Sequence, residues 1–134
     1  LDDIEHKILR SMNDPRIHAA INCASKSCPP LINRAYTEKN IDELLNTASN
    51  LWIESNALLI STSNIQLSPI FYWYSEDFSA YSVYSPKLPK KKQGPMGFIL
   101  HFSSPEQQEI LLLLLGKKPE ISSFEYDWML NDKD

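Results

Sequence analysis

An imidazole and two thiols fall within Asp14–Leu31 (DPRIHAAINCASKSCPPL): His18, Cys23 and Cys28. A thiol attacks well only as the thiolate, and a neighbouring imidazole can generate that form. His18 is the base this stretch offers, and Glu5 is the carboxylate that would orient it. Of the two sulfurs, Cys28 is the better candidate. A strand running through His18 would send Cys23 to the opposite face, whereas Cys28 sits in a loop that can fold back. Two prolines follow Cys28, so it does not open a helix whose dipole would lower its pKa. That counts against catalysis by Cys28; Cys23 is the other possible nucleophile.

Other chemistries are open to the same residues. His6, His18, Cys23 and Cys28 are of the types zinc accepts, but a C-x4-C spacing without a second compact pair is a weak zinc signal. No cofactor is expected. Two cysteines do not make a disulfide framework, and the plain alternative is two small, buried residues in a structural loop.

Composition narrows the class. The chain has 134 residues, of which 43% are hydrophobic and 22% charged, which fits one packed domain and not a disordered segment. Thirteen basic and 17 acidic residues leave a net charge of −4, giving no electrostatic basis for nucleic-acid binding. The longest apolar run, Ile110–Leu115, is far short of the roughly 20 residues that span a bilayer, so no membrane association is expected. The start, LDDIEHKILR, is acidic and amphipathic, unlike a signal peptide. A cytoplasmic, reducing setting is the expectation.

The elements that must position the chemistry follow from periodicity. Leu1–Met12 reads as a helix with Leu1, Ile4, Ile8, Leu9 and Met12 on one face, and Glu5 falls inside that face. A carboxylate there needs a partner. Arg16–Asn22 alternates and carries Ala20 on its second face, which predicts an interior strand. Asn40 and Glu43 predict a variant capping box before the helix of Ile41, Leu44, Leu45, Ala48, Leu51 and Trp52. Ala57–Ser61 and Ile65–Leu67 flank a turn and predict a hairpin. Ser68-Pro69 would open an aromatic helix, IFYWYSEDF, and Tyr81–Pro95 reads as an irregular lysine-bearing link. Met96–Phe102 is a short apolar helix or turn. Ser104-Pro105-Glu106 starts a helix that should stop at Gly116, and Glu120–Glu125 predicts a last strand. The fold class is α+β: a small mixed sheet covered by several helices, in one domain over residues 1–134.

Four blocks then fall in a recognisable order: LDDIEHKILR (Leu1–Arg10), DPRIHAAINCASKSCPPL (Asp14–Leu31), LSPIFYWYSEDF (Leu67–Phe78) and YDWMLN (Tyr126–Asn131). Together they resemble the domain of unknown function family 547 (DUF547), along essentially the whole chain. Members usually carry a helical segment rich in Trp, Phe and Asn upstream of the LDDIEH block, so the resemblance implies an N-terminally incomplete domain. It implies no settled activity.

Two functional classes remain. One is a protein-interaction or assembly module, favoured because Ile110–Leu115, the aromatic third helix and the absent upstream segment imply more apolar surface than the chain can cover. Its partner would be another protein chain or the missing N-terminal segment. The other is a Cys/His-dependent hydrolase or transferase using His18 and Cys28. An activated thiol should be exposed beside imidazole, and a structural one buried.

Overall fold

Three short strands organise the described residues. In this computed structural model, which describes residues 2–82 and 88–132, β1 (Leu58–Ile60) pairs antiparallel with β2 (Asn64–Leu67). The hairpin expected around Thr62-Ser63 is present, closed by the Ser61 N–H donating to the Asn64 carbonyl at 2.9 Å. The chain returns only at β3 (Glu120–Ser123), which lies parallel to β2 with Ile65 opposite Ile121. The sheet order β1-β2-β3 is thus mixed, and helices cover it, so the α+β expectation holds.

The helices are α1 (Asp2–Ile4), α2 (Ile17–Ala20), α3 (Ile41–Ser55), α4 (Ile70–Trp73), α5 (Lys90–Phe102) and α6 (Pro105–Gly116). After α1 the helical path continues as a π turn (Glu5–Leu9) and a 3-10 turn (Arg10–Met12). It ends where Asn13 adopts the left-handed conformation at φ 57°. None of its residues is fully buried, and Ile4, Ile8 and Met12 are at least half exposed. Aromatic rings pack against one another within a largely aliphatic core. Trp52 of α3 stacks on Phe71 of α4 at 4.7 Å, and Phe78 meets Phe98 of α5 edge-on at 5.0 Å.

Four sequence expectations are corrected. Arg16–Asn22 is not a strand: Ile17–Ala20 is a helical turn, and only from Ile21 (φ −82°, ψ 126°) is the chain extended. Asp14-Pro15 ends one helix and starts the next. The Asp14 carboxylate accepts the Arg16 N–H at 3.0 Å, and the Asp14 carbonyl accepts that of Ile17 at 3.2 Å. Over four residues a period of two cannot be told from a helical one, and paired alanines favour the helix. The segment is nevertheless interior, with Ile17, His18 and Ala19 all buried.

The Asn40 capping box does not form. Its side chain accepts the Thr37 N–H and donates to the Ala35 carbonyl, shaping the preceding loop, while Glu43 pairs with Arg34. The aromatic helix stops at Trp73 and gives way to turns. Finally, Lys90–Pro95 is helical, forming the first half of α5 (Lys87 lies outside the described residues). Gly94 serves close packing: a Cβ on it would sit 2.6 Å from the Phe78 carbonyl oxygen. At α6 the expected Ser104 cap is present, accepting the Gln107 N–H at 3.2 Å. Among the described residues no helix is long and apolar enough to cross a membrane.

Candidate functional site

The loop after α2 is built from its own polar side chains. Asn22 accepts the Ala24 N–H and donates to the Pro29 carbonyl, both at 2.8 Å, so it ties the loop across its base. Ala24 is left-handed at φ 61°, which turns the chain sharply after Cys23. The C-terminal segment then lies alongside. The Lys26 N–H donates to the Met129 carbonyl, the Asn131 N–H to the Ala24 carbonyl, and the Asp127 N–H to Ser27 Oγ. This pairing carries Tyr126 to the cysteines.

The two sulfurs have opposite environments. Cys23 is exposed and Cys28 is buried. The Cys23 N–H donates to Cys28 Sγ at 2.8 Å. Cys23 Sγ lies 3.3 Å from Ser25 Oγ and 3.4 Å from Tyr126 Oη. Ser25 Oγ donates to Tyr126 Oη at 3.0 Å, leaving the phenolic proton to point at the sulfur. Partial burial alone would push the Cys23 thiol up. Hydrogen bonds from Cys28, Ser25 and Tyr126 outweigh it and bring the thiol down to about 7. Burial and the neighbouring Cys23 push Cys28 the other way.

His18 is held from one side by a carboxylate. Its Nε2 lies 2.8 Å from Asp77 Oδ2, and Arg10 grips the same carboxylate through Nε at 2.7 Å and a terminal nitrogen at 2.9 Å. Burial pushes Asp77 up, but the bonds from Arg10 and His18 prevail and hold it below the usual carboxylate range. Burial lowers the His18 pKa, partly countered by Asp77, so the ring is neutral near pH 7. An ionised carboxylate only accepts, so Nε2 carries the proton and Nδ1 keeps its lone pair. Nδ1 faces Glu5 Oε1 at 3.8 Å, too far for a direct hydrogen bond. Tyr74 stacks on the ring at 4.4 Å and fixes its plane.

Glu5, His18, Cys23 and Cys28 all line one pocket of about 150 Å³, together with Tyr126 and the exposed Trp128. Among the described residues no hydrogen bond joins the imidazole to either sulfur; they share the pocket without touching. His6 lies elsewhere, pairing on the surface with Asp2 and Arg10. Among the described residues no three His, Cys, Asp or Glu converge into a metal cage. A larger groove of about 490 Å³, lined by Leu9, Met12, Ile17, Tyr36 and Leu45, adjoins the pocket at Ile21.

Sequence reasoning missed Asp77, Arg10, Ser25 and Tyr126. Asp77 and Tyr126 are distant in sequence from Cys23 and reach the site only through the fold. Both lie within stretches that carry the family likeness, Leu67–Phe78 and Tyr126–Asn131, which is the one sequence signal attached to them.

Residues 1–53 match the model of a family described as protein of unknown function, DUF547. Over that stretch the chain is similar to DUF547. The matched residues hold Glu5, His18, Cys23 and Cys28, and the fold brings Asp77 and Tyr126 to them from outside the match. Neither the curated proteins nor the solved structures yield a match.

Proposed function

We propose that this chain is a thiol-dependent acyl hydrolase or transferase with Cys23 as nucleophile and His18 as base. One observation carries the reading: an exposed sulfur, hydrogen-bonded to a phenol, shares a pocket with a buried imidazole whose far nitrogen is fixed on a carboxylate. The Cys23 thiolate attacks an acyl carbonyl, the bond to the leaving group breaks, and a thioester forms. Water or an acceptor hydroxyl then attacks the thioester carbonyl while His18 Nδ1 takes its proton. The C–S bond breaks and the thiolate returns. The proton on Nδ1 passes to solvent, and Asp77 supports the transient imidazolium. Cys28 is the buried sulfur whose contact lowers the Cys23 pKa. Glu5 faces the nitrogen that receives the proton.

The pocket is small and mostly apolar, which fits a short acyl group. With 4-nitrophenyl acetate the expected result is nitrophenolate release and an acetyl adduct on Cys23, both lost in Cys23→Ser. Release that survives Cys23→Ser overturns the assignment. Both cysteines are free, which supports a reducing, cytoplasmic location for such a thiol.

A second reading is supported by α6, where Ile110, Leu112 and Leu113 are exposed although Leu111 and Leu114 are buried. This face supports association with another protein chain. Loss of a Leu112–Leu113-dependent complex on size-exclusion chromatography would identify it, and an unchanged elution profile would dismiss it.

A further inference from the structure

Cys28 has no bond-making role in acyl transfer, yet it is placed against the reactive sulfur. Its Sγ accepts the Cys23 N–H at 2.8 Å and is close enough to hydrogen-bond the Cys23 thiol. Both cysteines are free. The Cys23 side is open to solvent and the Cys28 side is closed. The loop between them is pinned at Asn22, and Asn56 Nδ2 also holds the Cys28 carbonyl at 2.9 Å.

We infer that Cys23 and Cys28 form a peroxide-oxidisable dithiol, with Cys23 the sulfur that attacks the oxidant and Cys28 the sulfur that resolves it. This rests on Cys23 being the reactive sulfur of the proposed site. The Cys23 thiolate attacks the terminal oxygen of a hydroperoxide. The O–O bond breaks, the alkoxide leaves and takes a proton from solvent, and sulfur is oxidised by two electrons to the sulfenic acid. Cys28 then attacks the Cys23 sulfur. The S–S bond forms, the S–O bond breaks, and the departing hydroxide takes the Cys28 proton as water. A thiol reductant reverses the step by thiol–disulfide exchange.

An accessible thiolate beside a second thiol is the arrangement in which a sulfenic acid condenses instead of oxidising further. Tyr126 donates to the sulfur that must be ionised, Ser25 orients that phenol, and Cys28, kept protonated by burial, does not compete for the peroxide. Oxidation would remove the Cys23 nucleophile, so acyl transfer would be switched off until reduction.

The test treats the reduced chain with one equivalent of hydrogen peroxide, followed by thiol titration, intact mass and peptide mapping. The expected result is loss of both thiols together, a mass lower by two hydrogens and a Cys23–Cys28 cross-linked peptide in a monomer, all reversed by dithiothreitol. In Cys28→Ala, dimedone should instead trap Cys23 as the sulfenic acid. Peroxide that leaves both thiols intact overturns the inference. So does sulfinic acid at Cys23 of the unaltered chain without a cross-link. The acetyl adduct from 4-nitrophenyl acetate is scored separately under reductant, so failure of acyl transfer is read apart from failure of the dithiol.

Discussion

Nε2 of His18 lies 2.8 Å from Oδ2 of Asp77, although 59 residues separate them in the chain. The contact exists because α4 ends at Trp73 and the turns after it bring Asp77 over the α2 turn, where Arg10 completes the clamp. Asp77 therefore decides which ring nitrogen holds a proton. Asp77→Asn keeps the shape but presents an amide that can face the ring with either end. We expect the 4-nitrophenyl acetate rate to fall by about 10²-fold, the low end for loss of a positioned acid–base group, with the Cys23 alkylation rate little changed. Equal losses in both would mean that Asp77 only holds the fold.

Acid should weaken the fold through the same pair. The His18 pKa is lowered in the folded state from 6.5, so the unfolded chain binds the proton more readily. Stability from this group is complete above pH 6.5 and falls as pH drops through the folded value. Asp77, lowered from 3.8, adds a loss in the same direction at lower pH. Urea midpoints measured between pH 7.5 and 5 should decline, and His18→Gln should flatten the upper part of that slope. A midpoint that rises on acidification contradicts the assignment of a neutral buried ring.

Gly94 links the core to the site. Its missing side chain lets α5 lie against the Phe78 carbonyl, one residue from Asp77. Gly94→Ala should cost about 1–3 kcal/mol as the backbone shifts, and activity should fall with stability. A neutral alanine would show that α5 moves freely at this point.

The leucine run separates packing from surface. Leu111 has no exposed area, and Leu111→Ala should cost about 2–5 kcal/mol in chemical denaturation. Leu112 and Leu113 are 59% and 63% exposed, and changing both to Glu should alter stability by only about 0.5 kcal/mol each. If the double variant unfolds, the outer face is not free.

The sequence made α3, the hairpin, α6 and β3 legible, because each carries a long period or a punctuated turn. It also gathered Glu5, His18, Cys23 and Cys28, which line one pocket. The ranking of the sulfurs is another matter. The argument for Cys28 rested on a strand through His18, and with a helical turn there the parity that sent Cys23 away no longer applies. Exposure and donors instead single out Cys23. Asp77 and Tyr126 carried no local signal, since their role depends on where α4 stops and on how residues 126–131 lie against the loop.

Site-resolved alkylation by iodoacetamide as a function of pH tests the account most directly. Cys23 should react with a midpoint near the value of about 7 set by its hydrogen bonds, and Cys28 should stay unmodified while the fold is intact. Tyr126→Phe should move the Cys23 midpoint upwards, towards the ordinary thiol value of 9.0. A Cys23 that titrates at the ordinary value, or a Cys28 that reacts first, would contradict the claim that Cys23 is the activated nucleophile.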